Sequence, residues 1–183
     1  MRLMLGLDRG EGETKWDGRR LTDHPHATKV VGAHLDARFF NPNRTARAHL
    51  RMLGAEANIP NTRVDEVLDL VGLTSEAKKR PKTFSLGMGQ RLGLAGAILA
   101  NPKVLVLDMS RVPDIEYSAL QMLIDGESRH RENGITLWLA GLNPGVLEVV
   151  RHTALAERLG RERMLFNTRA AMLSPCTRPM VPA

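Results

Sequence analysis

Apolar residues recur at helical spacing twice between positions 46 and 71. Ala46, Leu50, Leu53 and Ala57 share one helical face, with Thr45 as N-cap, and Pro60 breaks the pattern. Val64, Val67, Leu68 and Val71 predict a second helix, capped by Asn61 or Thr62 and stopped by Gly72. Thr74 to Lys82 is a charged connection. Beyond Phe84, a helix rich in small residues runs to Ala100 with Leu92, Leu94, Ala95, Ile98 and Leu99, and Asn101-Pro102 ends it. Val104-Leu105-Val106-Leu107, closed by Asp108, is a continuous apolar run of strand length, as expected for a strand buried on both faces. After a loop containing Pro113, a helix from Ser118 to Asn133 buries Leu120, Leu123 and Ile124, and Gly134 ends it. Ile135 to Leu139 is the next strand. Strand, helix and strand at this spacing predict a right-handed parallel βαβ unit. Asn143-Pro144 opens another helix, with Val146, Leu147, Val149 and Val150.

The flanks are less regular. Met1 to Leu7 reads as the last turns of a helix. Residues 9–28 are polar and turn-rich, and Asp17-Gly18 is a hairpin-type dipeptide. Lys29 to Leu35, β-branched at Val30-Val31, predicts a short strand. Residues 153–172 hold an amphipathic stretch, a strand at Met164-Leu165-Phe166 and a last helical turn. The tail from Ser174, with Pro175, Pro179 and Pro182, reads as disordered. The class is α/β.

Composition narrows the partners. Aromatic residues are only 4% of the chain, so the core is mostly aliphatic. A net charge of +6 suits nucleic acid or anionic lipid, but acidic residues are interspersed and no aromatics interleave a basic stripe. A solvated arginine-rich surface, with no nucleic-acid partner, is the expectation. His24, His26, His34, His49, His130 and His152 lack metal-ligand spacing, so no metal site is expected. Cys176 is the single cysteine, which excludes an internal disulfide and fits a reducing cytoplasm. The longest apolar stretch, Leu92 to Ala100, is too short to span a membrane, and no signal peptide is visible.

One motif carries chemistry. In Ser85-Leu86-Gly87-Met88-Gly89-Gln90-Arg91, a serine hydroxyl and backbone N–H groups stand at a helix N-terminus. Those donors have no intrahelical partner and the helix dipole favours an anion there. Glycine lets backbone approach a phosphate closely. The motif resembles the Ser-Gly-Gly-x-x-Gln-Arg signature of ABC transporter ATP-binding subunits, with Leu86 replacing the first glycine. Val104 to Asp108 resembles the Walker B strand that follows it. Val31 to Asp36, then Pro42 and Thr45-Ala46-Arg47, resemble the family's Q-loop region, with Asp36 where glutamine is usual. The resemblance spans residues 1–108. It implies that Ser85, Gly87 and Gln90 reach, in trans, the γ-phosphate of ATP held by an opposite subunit. Three departures matter. No Gly-x-x-x-x-Gly-Lys-Ser/Thr loop occurs in the chain, Met109 replaces the glutamate that follows Asp108, and the family's D-loop and switch histidine do not follow. The expectation is a truncated ATP-binding protein with no independent hydrolysis, using ATP only with a complete partner subunit.

Val104 to Ser110, then Pro113-Asp114-Ile115-Glu116-Tyr117-Ser118-Ala119-Leu120 and Gly134 to Ala140, resemble the later part of a STAS domain of the sulfate-permease type, over residues 103–172. In the anti-sigma antagonist branch of that family the serine matching Ser118 is phosphorylated. Tyr117 departs from that branch and favours the transporter type, and capping of its own helix is the plainer role for Ser118. The expected organisation is an ABC-like fragment at 1–102, a STAS-like fragment at 103–172 and a tail at 173–183. The shared strand 104–108 is the join. Missing sheet neighbours predict reduced stability and association, with an ABC subunit, a membrane transporter subunit or a second copy. The expected location is cytoplasmic, at the inner membrane face through a partner.

Overall fold

The structure, a computed structural model, describes residues 5–7, 14–34, 40–41 and 43–165. Its strands are β1 (Val31–His34), β2 (Val104–Asp108), β3 (Thr136–Ala140) and β4 (Met164–Leu165). Its helices are α1 (Ala27–Val30), α2 (Ala46–Glu56), α3 (Asn61–Leu70), α4 (Leu86–Ile98), α5 (Tyr117–Glu132), α6 (Pro144–Arg151) and α7 (Ala154–Leu159). The helical turn and tail read into the chain beyond Leu165 lie outside the described residues. So do Asp36, Pro42 and most of the segment Met1–Leu7, of which Leu5–Leu7 form a turn at Gly6.

All four strands pair in parallel, in the order β1-β2-β3-β4. The two outer strands therefore flank the inner two in one sheet. Register and pleat sort the side chains. Val31, Ala33, Val104, Val106, Trp138 and Ala140 fall on one face, and Gly32, His34, Leu105, Leu107, Leu137 and Leu139 on the other. The first face is covered by the N-terminal segment. Asp17 (φ 50) and Gly18 (φ 79) make a tight turn closed by two backbone bonds between Trp16 and Arg19, as the dipeptide predicts. The turn tucks Trp16 edge-on against Trp138 with centroids 6.4 Å apart, and Lys103 Nζ ties it down through Asp17 Oδ2 at 2.7 Å.

The second face packs against helices in one cluster that runs from Ala46 to Leu159. Here local rules explain most boundaries. Thr45 Oγ1 accepts from the Ala48 N–H at 3.2 Å and starts α2. Gly72 (φ +65) stops α3, and Gly134 (φ +74) stops α5. Two expectations need correction. The N-cap of α3 is Pro60, with no side-chain cap, so neither Asn61 nor Thr62 caps it. Proline fixes an extended backbone, and the helix starts directly behind it. Leu53 is 39% exposed, whereas His49 is buried in the same helix. The buried residues of α2 are Ala46, His49, Leu50 and Gly54, so burial extends one step round from the predicted stripe, while Leu53 lies against Gly96 of α4 at the rim.

Two glycines set the distance between α4 and β1. A Cβ on Gly32 would lie 2.0 Å from the Ala97 carbonyl oxygen, and one on Gly93 would lie 2.3 Å from the His34 ring. Backbone cannot yield as a side-chain tip can. Gly32→Ala should therefore lower unfolding stability by about 2 kcal/mol, the usual scale of core overpacking. Urea denaturation checks this, with Gly87→Ala, where a Cβ meets nothing within 4 Å, as the mild comparison.

Candidate functional site

Ser85 has extended backbone (φ −63, ψ 163), and its Oγ accepts from the Met88 N–H at 3.3 Å. It is the N-cap of α4. Inside the first turns, Gly89 and Leu92 are buried, while Leu86, Gly87 and Gln90 are exposed. The hydrophobic demand of the inner face thus leaves the glycine and the glutamine turned to solvent. Arg91 Nη1 donates to the Gly72 and Val71 carbonyls at 3.2 and 3.4 Å, which fixes the start of α4 to the end of α3. Beside it Gly72, Ser75, Glu76, Lys79, Thr83, Met88 and Arg91 line an open groove. Within it Lys79 pairs with Glu76 at 2.7 Å.

Helix α4 runs against the strand direction, since Ala97 lies over Gly32 and Gly93 over His34. At 1.5 Å per residue, Ser85 therefore projects roughly 12 Å beyond the His34 end of β1. Asp108 closes β2 on that same side of the sheet. The carboxyl ends of parallel strands are where open α/β sheets hold ligands. Asp108 is half-buried, and its Oδ1 accepts from the Ser110 N–H at 2.9 Å. Gly141 (φ +70) brings the turn after β3 against it, because a Cβ there would be 3.2 Å from that oxygen. Met109, which follows Asp108, is buried in the apolar cluster and donates its N–H to the Ala140 carbonyl at 2.7 Å. It prolongs the ladder by one bond.

The loop after Met109 is held by Asn143. Its Oδ1 caps α6 through the Val146 N–H at 2.9 Å, and its Nδ2 donates to the Pro113 carbonyl at 3.2 Å and to that of Val112. Helix α5 starts at Tyr117, and Glu116 occupies the cap position without a side-chain bond. Ser118 therefore lies within the first turn and is not the N-cap. Its hydroxyl lies outside the described residues. Tyr117 and Met122 are 76% and 70% exposed on the same helix. Further along, Glu127 is 3% exposed and meets Arg158 Nη1 of α7 at 3.3 Å and Arg131 Nε at 3.7 Å. The sequence signals neither Asn143 as a loop anchor nor the Glu127–Arg158 pair, since their partners are some thirty residues away. Helical spacing does place Glu127 and Arg131 together. Among the described residues no three His, Cys, Asp or Glu side chains gather to hold a metal ion, and no helix is long and apolar enough to cross a membrane.

Residues 1–110 match the protein family described as ABC transporter, and residues 61–172 match the STAS domain family. The two matches overlap across α3, α4 and β2. An uncharacterised ABC transporter ATP-binding protein, YhcH of Bacillus subtilis, is 36% identical over 114 residues, 59% of this chain and 36% of YhcH. The bacitracin transport ATP-binding protein BcrA of Bacillus licheniformis is 36% identical over 145 residues, 76% of this chain and 47% of BcrA. The chain thus spans less than half the length of these relatives. A solved ATP-binding subunit of an ABC transporter superposes with TM-score 0.65 at 18% identity, covering 82% of this chain and 63% of that one.

Asn143→Ala should cost about 1 kcal/mol from the lost helix cap, before any loss at the loop. Amide exchange at Val112, Asp114 and Ile115 should rise in the same variant, because the side chain that pins the Val112 and Pro113 carbonyls is gone. Unchanged exchange there would mean that the loop is held by other contacts.

Proposed function

The chain belongs to the ABC transporter family through residues 1–110 and to the STAS domain family through residues 61–172, and from that premise we propose that it acts as a signature-motif donor without ATP turnover of its own. The observation that carries this reading is the start of α4, where Ser85 caps the helix and Gly87 and Gln90 face open solvent. Unpaired N–H groups and a helix dipole at an exposed end suit a phosphate presented by another subunit. Gly87 allows close approach, because no side chain intervenes. The ATP would be held by a complete partner subunit, whose glycine loop and lysine supply what this sequence lacks. Asp108 stands where a Walker B carboxylate would stand, but buried Met109 follows it in place of a general base. Ser85, Gly87 and Gln90 then serve binding, and no residue of this chain activates water. The relatives named for bacitracin transport make a membrane transporter subunit a reasonable second partner.

A second reading rests on α5. Exposed Tyr117 and Met122, beside the loop that Asn143 pins, offer a firm surface for protein contact of the STAS kind. A phosphate on Ser118 would lie in the first turn of α5, where the helix dipole favours it.

Labelled ATP should bind a mixture of this chain and a complete ABC subunit at least about tenfold more tightly than either alone, a coupling of about 1.4 kcal/mol. Ser85→Arg should abolish the gain by blocking the helix end. Equal binding by wild type and variant would remove the signature reading. An Asp114→Lys variant that loses a partner captured by the wild type, while ATP binding is unchanged, would favour the surface of α5 instead.

A further inference from the structure

His49 is an unusual core residue. It lies in α2, a helix packed on α3 and α4, is 6% exposed, and its Nδ1 is buried with no hydrogen-bond partner. A buried polar atom without a partner is costly, and a charge there costs far more. Among the described residues no carboxylate pairs with the His49 ring. Arg44, just before α2, opposes a positive ring. Arg47 Nη2 is spent on Asp65 of α3 at 3.1 Å. The other carboxylates of α3 are also engaged, Glu66 by Arg63 at 3.1 Å and Asp69 by the Thr74 hydroxyl at 3.2 Å. The one titratable residue of α4, Arg91, is bound to the carbonyls of Val71 and Gly72. In the connection 74–80, Glu76 pairs with Lys79.

We propose that His49 is an acid-sensitive latch: α2 stays docked while the buried ring is neutral, and protonation of that ring releases the helix ahead of the sheet. The sheet has no equivalent weakness in its central strands, where Leu105, Val106, Leu137 and Leu139 are buried and apolar. Burial, then Arg44, hold the His49 pKa below its ordinary value of 6.5. The sign follows. The unfolded chain takes up a proton at higher pH than the folded chain, so stability from neutral His49 is full above 6.5 and declines as pH falls from there through the folded value. His130 is shifted the same way, by burial first and then by Arg129, but it sits at the far end of α5 and would not loosen α2 selectively.

Native-state amide exchange, corrected for intrinsic rates, separates the cases. Between about pH 7.5 and about pH 5, protection of α2 amides should fall severalfold more than that of Leu105 to Leu107, the direction set by a ring that is harder to protonate in the folded chain than in the unfolded one. In His49→Gln the excess should vanish, whereas His130→Gln should retain it. Equal losses in α2 and β2 of the wild type, or an excess that survives in His49→Gln, would overturn the proposal. Should the glutamine variant fail to fold, NMR titration of the wild-type ring decides: a value at or above 6.5 overturns the latch, and one below it supports it. None of these readouts depends on nucleotide.

Discussion

The close approach of α4 to β1 is the constraint on which the remaining geometry depends. With backbone against backbone at Gly32 and a histidine ring against Gly93, the helix has a fixed height and a fixed slide along the strand. That contact decides how far Ser85 stands beyond the sheet. It also decides how α4 meets α2 and α3, because Arg91 clasps the end of α3 from the same helix. Glycine is unfavourable within a helix or a strand by about 1 kcal/mol each. Here the gain in proximity is what the helix–strand layer uses.

Much of this was legible in the sequence where a residue's role is local. Thr45, Gly72, Asn101, Gly134 and Asn143 each mark a boundary by their own chemistry, and the structure uses all five so. The apolar run 104–107 announces a strand buried on both faces, as found. The errors arise where tertiary contact outvotes local preference. Leu53 fits the helical stripe by spacing and lies against Gly96 of α4, yet it stays 39% exposed while His49 is buried. Ser118 looks like a cap, but α5 starts one residue earlier, at Tyr117, with Glu116 before it. Of the candidate site, Ser85, Gly87 and Gln90 could be picked out because their chemistry is written in one short string. The end of the sheet toward which both the start of α4 and Asp108 are directed could not, because that follows from strand order and the direction of α4.

The sheet joins stretches whose family likeness differs. Strand β1 falls only within the ABC transporter match, β3 and β4 only within the STAS match, and β2 within both. A buried aliphatic strand is indifferent to its origin, since parallel pairing asks only for length, register and apolar faces. That tolerance explains how β2 can bond to neighbours on both sides with full registers. At Met109, directly after β2, the same demand for apolar packing is met by a buried thioether.

The edge-to-face contact of Trp16 with Trp138 has a practical bearing on how this protein can be observed. These are the chain's two tryptophans, and both belong to the small apolar cluster on the hairpin side of the sheet. Emission excited selectively at tryptophan, beyond the absorption of Tyr117 in α5, will therefore report on that side alone. The helices that carry Ser85 and His49 lie across the sheet and are optically silent at those wavelengths. A single sharp optical transition would describe one side of the molecule, and the opposite layer would need a label of its own before its cooperativity could be judged.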